Sequence, residues 1–213
     1  MTGVFRPLDR ASVVDTLATD LRSRILSGDL APGAALREAA LSDTYAVSRH
    51  TLRAALRLLA GEGLVRIVPN HGATVARLAE EDLVPLFELR TALEVEACRP
   101  TLERNGGELP EPVHVAHEEL VRACRSKGSE WREIADAHAR FHESLVFGAA
   151  SPRIEEAYKR LATELNLFLA QLRPVWSRRR MIDHHRSLVV ELEASDVDAL
   201  RRHLADGLDA VAG

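Results

Sequence analysis

The stretch from Leu36 to Gly63, LREAALSDTYAVSRHTLRAALRLLAGEG, decides how the chain is read. It reads as two helices joined by a tight turn. Leu52, Ala55, Leu56 and Leu59 recur at helical spacing, so one face of the second helix is buried. The opposite face carries Arg49, Arg53 and Arg57 at four-residue steps, with His50 beside them. Ser48 precedes the run, where its hydroxyl can cap free backbone N–H groups. A helix packed on one side and lined with guanidinium groups on the other suits the major groove of DNA. There Arg grips phosphates or pairs in bidentate fashion with guanine. A solvated arginine face on an ordinary surface helix has the same spacing, and the flanking sequence has to separate the two.

Working outward, Val13 to Ser27 forms a helix in which Val13, Leu17, Leu21 and Ile25 make the buried stripe, and Gly28 to Gly33 ends it. Beyond Gly61-Glu62-Gly63, the short runs Leu64–Val68 and Ala73–Ala76 flank Pro69-Asn70-His71-Gly72, which predicts a hairpin with a polar tip. Helix, helix-turn-helix, hairpin is the winged-helix order. From Ala79 the pattern is helical to the end, with six helices at about 80–104, 112–126, 130–149, 152–173, 177–194 and 196–211. Amphipathic helices in such a run bury their stripes by packing as an antiparallel bundle. The expected fold is mainly α: a winged helix-turn-helix over residues 1–77 and a six-helix bundle over 78–213.

Composition narrows the class. Hydrophobic residues make up 46% and charged residues 28% of 213, which excludes long disorder. Residues 1–77 carry ten Arg against seven Asp and Glu, a net +3, while the rest holds 18 basic against 25 acidic residues, a net −7. A basic head on an acidic body fits nucleic-acid binding at one end. Cys98 and Cys124 make neither a disulfide framework nor a Cys-based zinc site. The start has no signal-type apolar core and no run approaches membrane-spanning length, so a cytoplasmic protein with no membrane partner is expected.

Four histidines fall on the inner faces of the body. His138 and His142 lie four residues apart among Ile134, Ala135, Phe141 and Leu145; His185 sits among Met181, Ile182, Leu188 and Leu192; His203 follows Ala199 and Leu200. His184 and Asp136 fall on polar faces and read as solvated. A buried imidazole needs a partner for its polar nitrogens, and one shared divalent transition metal satisfies all four at once; imidazole suits zinc, nickel, copper or iron, and zinc or nickel is expected. Satisfied core histidines are the plainer alternative. Arg90, surrounded by Leu86, Phe87, Leu93 and Ala97, points its guanidinium inward. It either pairs with Glu94 one turn on or forks a carboxylate ligand. Arg178, Arg179 and Arg180 read as solvated, and Trp131 and Trp176 as packing.

The segments LAPGAALRE, AVSRHTLRAALRLLAGEGLVRI and HGATV resemble the DNA-binding domain of the GntR family of bacterial transcription regulators. That resemblance places base and phosphate contacts on Ser48, Arg49, His50, Thr51 and Arg53, with His71 and Gly72 on the wing. Tyr45-Ala46 replaces the family's usual Leu-Gly in the turn, and Ala39 stands where some members keep a further arginine. The body, through FELRTALEVEA (87–97), FHESL (141–145), HRSLVVELEASD (185–196) and RRHL (201–204), is similar to the FCD ligand-binding domain of the FadR subfamily, in its shorter, VanR-like group. The resemblance implies a metal held by one Asp and three His. His142, His185 and His203 match the histidines, and His138 stands at the Asp position. Either His138 is a fourth imidazole ligand or it does not reach the ion. Arg90 matches an arginine the family keeps.

A ligand-responsive repressor follows: a homodimer on a double-stranded DNA operator, with a small carboxylate effector held by the metal and Arg90. A metal-dependent hydrolase is the competing class, since three His with an open position also describe a hydrolytic zinc site. Against it stands the expectation that no inward carboxylate lies near these histidines to act as a base. A DNA-binding protein with a purely structural metal is the third reading.

Overall fold

A computed structural model describes residues 12–68, 72–172 and 176–212. The first helix, α1 (Val13–Leu26), starts at a reciprocal cap: Ser12 Oγ accepts from the Asp15 backbone N–H, and the Asp15 carboxylate accepts from the Ser12 N–H. Its buried residues are Leu17, Ala18, Leu21 and Ile25, whereas Val13 is 62% exposed, against expectation. Four-residue steps explain the difference. Each overshoots the roughly 3.6-residue turn by about 40°, so the first member of a long stripe rotates off the core.

After the two-residue strand β1 (Ala35–Leu36) come α2 (Glu38–Thr44) and α3 (Arg49–Gly61). The turn between them holds Ala46 at φ 51°, a left-handed conformation that favours glycine. The Tyr45 hydroxyl donates to Asp20 on α1 and ties this turn to the first helix. Leu52, Ala55, Leu56 and Leu59 of α3 are buried, and α3 packs on α1. Next come β2 (Val65–Val68) and β3 (Gly72–Val75), paired antiparallel with Val65 opposite Val75 and Val68 opposite Gly72. β1 adds to the far edge of β3, for a sheet order β1-β3-β2. Two residues are too few to show any alternation, so β1 had no signature in the sequence.

The bundle comprises α4 (Glu80–Arg104), α5 (Glu111–Arg125), α6 (Trp131–Phe147), α7 (Pro152–Leu172), α8 (Arg178–Glu193) and α9 (Asp198–Ala212). These are the six expected helices. Helix α4 lies against α6, α7 and α9, while α5 packs on α6 and α8, and α8 on α9. α6 ends at Phe147, and the Gly148 that follows lies against α4: a Cβ there would lie 2.5 Å from Thr101 Cγ2. Thr101 in turn donates its hydroxyl to the carbonyls of Ala97 and Leu145, 2.8 and 3.0 Å away. Head meets body where α1 contacts α7 and where Arg132 of α6 donates to Ser23 of α1. Among the described residues no helix is long and apolar enough to cross a membrane.

Candidate DNA interface and metal centre

The face of α3 turned away from the core carries the predicted cations. Ser48, Arg49, His50, Arg53 and Arg57 are exposed, and Thr51 is half-buried. Ser48 Oγ accepts from the Thr51 N–H at 3.1 Å and so caps the helix, and it lies 2.8 Å from the Thr51 hydroxyl. Arg53 is held out by Glu38 of α2, Nε to Oε2 2.8 Å. A groove of about 430 Å³ runs between α3 and the hairpin, lined by Arg53, Arg57, Ile67, Val68 and Gly72. Gly72, at φ 88°, opens β3 beside it. The predicted wing residue His71 lies outside the described residues.

In the body, α6, α8 and α9 bring the four predicted histidines together, each at most 7% exposed. Ring centroids of His138 and His142 are 4.6 Å apart, His138 and His185 4.8 Å, His185 and His203 4.6 Å, and His142 and His203 5.4 Å. His138, His142 and His185 each place a ring nitrogen within 4.8 Å of the others'. Each of the four has one buried nitrogen with no hydrogen-bond partner among the described residues: His138 Nδ1, His142 Nε2, His185 Nε2 and His203 Nδ1. Leaving such atoms unpaired costs about 1–3 kcal/mol each.

The opposite nitrogens explain why two of these, on His142 and His185, are bare. His142 Nδ1 lies 2.8 Å from Glu94 Oε2, and His185 Nδ1 lies 2.8 Å from the Met181 carbonyl. Both acceptors assign the ring proton to Nδ1, which leaves a lone pair on each Nε2. Burial holds all four imidazoles below the ordinary histidine range, and His138, His185 and His203 far below it; Glu94 pulls His142 part of the way back. Neutral rings with free lone pairs are what a borderline divalent ion requires, and those of His138, His142 and His185 lie within reach of one another. The donor set fits such a metal.

Two expectations need correcting. An inward carboxylate does lie beside the histidines: Glu94 is fully buried. It accepts from Arg90 Nε at 2.6 Å, from the Tyr158 hydroxyl at 2.8 Å and from His142. The signal was present, because Glu94 shares the stripe of Arg90, Ala97 and Thr101. Its four-residue step from Arg90 shows the ion pair but not its reach to another helix. Both of its oxygens are engaged, so it serves as a fixed acceptor and not as a free base. His184, expected in solvent, is the second correction. Its side chain is 17% exposed and its ring stacks on His203 at 3.9 Å. Asp136 is exposed as expected, beside Arg132.

Arg90 is buried and makes the expected pair with Glu94, and it also borders two small cavities of about 30 and 20 Å³ that reach His138 and His142. The two readings of this residue are therefore compatible. Each cavity has room for about one water molecule. The roomiest space beside the histidines, about 810 Å³, lies between α8 and α9, with Arg179, Arg180 and Arg202 on its walls. Trp131 and Trp176 are buried, as packing requires.

Residues 14–75 match the model of the bacterial regulatory proteins, gntR family, and residues 85–210 match that of the FCD domain. The "Probable D-xylose utilization operon transcriptional repressor" of Paenarthrobacter nicotinovorans is 30% identical over 100% of this chain and 94% of its own. The gluconate operon transcriptional repressor of Bacillus licheniformis is 26% identical over 97% and 86%. A GntR transcriptional regulator from Rhodococcus sp. RHA1 shares the fold, with a TM-score of 0.70 at 23% identity over 94% of this chain and 98% of its own. These families and relatives are transcription regulators, not enzymes. The exposed arginine helix and its hairpin thus have their counterpart in a known class of DNA readers, and the chain belongs to the GntR family as a transcriptional repressor carrying an FCD domain.

Proposed function

We propose that this repressor senses a small organic acid through a metal held in its bundle. The head, residues 1–77, reads the operator with Ser48, Arg49, His50, Thr51, Arg53 and Arg57, with His71 and Gly72 at the wing. The body, residues 78–213, holds one divalent transition ion, zinc or nickel, on His138, His142, His185 and His203. When bound, such an ion supplies a Lewis-acidic position for a carboxylate oxygen. The observation that carries this reading is the set of four buried ring nitrogens without partners, two of them oriented by Glu94 and Met181.

Arg90 bonds the second oxygen of the acid, while Glu94 and Tyr158 keep its guanidinium in place. The cavities beside Arg90 are too small for an acid in this conformation, so binding requires the bundle to open. That opening biases a homodimer between head spacings that fit two half-sites and spacings that do not. One relative is named for a gluconate operon, and gluconate is a small hydroxy acid of the class this site suits.

Elemental analysis of the purified chain and of His185→Ala tests the reading. The wild type is expected to carry one transition ion per chain, and the variant none, with non-specific DNA binding unchanged. Full metal content in the variant refutes the site. Operator binding that no small acid alters would reduce the ion to a structural role.

A further inference from the structure

We infer that His184, His185 and His203 form a second, outer seat for the same divalent transition ion, through which the buried seat is loaded. The inference rests on the metal reading above and adds a ligand to it. These three residues place ring nitrogens within 4.8 Å of one another, as His138, His142 and His185 do on the inner side. The two triads share His185.

His184 is otherwise hard to account for. Both of its ring nitrogens are buried and lack a hydrogen-bond partner among the described residues. The nearest charge, Asp206 Oδ2, is 3.5 Å from Nε2, beyond a good hydrogen bond. The ring is stacked on His203, whose Nδ1 is bare as well, and packs edge-on against Trp176 at 4.9 Å. An apolar ring would fill that place without stranding two polar atoms. A cation between His184, His185 and His203 uses one of the two, with the His184 ring turning out of its stack on His203 so that its lone pair points at the ion.

Access separates the two seats. His138 and His142 of the inner triad line cavities of about 30 and 20 Å³, and the smaller one also touches His184 and His203, so it joins the two triads. The outer triad has His184 and His203 in the wall of the 810 Å³ groove between α8 and α9, with Asp183, Glu191 and Asp206 around them. An ion arriving from solvent meets carboxylates first, then His184, then the shared His185. The seats exclude one another, because His185 Nδ1 is engaged by the Met181 carbonyl and only Nε2 remains to bind. One ion per chain therefore occupies either seat, and exchanges His184 for His138 and His142 as it moves inward.

Uptake of cobalt(II) and zinc(II) by the chelator-stripped full-length protein tests this, with the cobalt absorption spectrum followed in a stopped-flow cell. Wild type should bind one ion per chain in two spectral phases. His184→Ala should lose the early phase and load at least about tenfold more slowly, the scale on which groups supporting metal sites act. It should still reach one ion per chain. His184→Phe keeps the ring packing on His203 and Trp176 but removes the nitrogens, and should behave like the alanine variant. Time courses and spectra of both His184 variants that superimpose on wild type would overturn the outer seat alone, as would two ions per wild-type chain. A wild type that binds neither metal would overturn the metal reading beneath it.

Discussion

Replacing Glu94 by Gln keeps the side chain's outline and removes one charge from the centre of the bundle. In the wild type this carboxylate is fully buried and accepts from Arg90, Tyr158 and His142 at 2.6, 2.8 and 2.8 Å. Burial pushes the Glu94 carboxyl up, but the Arg90 guanidinium and His142 outweigh it and hold it down to about 2. Against its ordinary value of 4.5, that corresponds to about 3 kcal/mol of stability. Breaking a buried ion pair from one side costs about 3–5 kcal/mol, because the partner charge stays behind unpaired. The two routes agree in scale. For a chain of 213 residues, each kcal/mol moves the melting temperature by about 2–4 °C, so Glu94→Gln should melt roughly 6–20 °C lower. Fluorescence reports the right part of the molecule, since both tryptophans, Trp131 and Trp176, are buried in the body. Acid offers a second readout. The wild-type contribution is complete above about pH 4.5 and fades as pH falls toward 2, because the unfolded carboxyl takes up its proton first. The variant should lack that limb. A melting point within about 2 °C of wild type at neutral pH would show that Arg90 and Glu94 are not a desolvated pair.

Three further changes probe other parts of the chain. Arg49→Ala should weaken operator binding by about 1–3 kcal/mol in a gel-shift titration, with a smaller effect on random DNA; equal loss on both would make Arg49 a phosphate contact. Ala46→Gly should stabilise the head by about 0.5–1 kcal/mol, since relief of left-handed strain exceeds the added freedom of the unfolded chain; a lower melting temperature would contradict this. Tyr158→Phe removes one of three donors to Glu94 and should cost about 1.5–3 kcal/mol in denaturant unfolding, less than Glu94→Gln. An equal loss would place the strength of the network in Tyr158 instead of Arg90.

Much of this molecule was legible in one dimension because its elements obey simple periods. The α3 stripe of Leu52, Ala55, Leu56 and Leu59 and the inward histidines at 138, 142, 185 and 203 follow from helical spacing, which tells an inner face from an outer one. The hairpin announces itself through its turn residues. Val13 shows the limit of that method, since a four-residue step drifts around the helix until its first member leaves the core.

What the tertiary structure alone decided is which inward groups meet. Spacing along one helix cannot say that Glu94 of α4 reaches His142 of α6 and Tyr158 of α7, because those contacts span 48 and 64 residues. Nor can it say that a histidine on the polar side of α8 is covered by α9. His184 sits about 100° around the helix from His185, a position exposed on a lone helix and half-buried once a neighbour lies beside it. Local sequence determines the face a side chain takes; the packing of separate helices determines its partners, and at this centre the partners carry the chemistry.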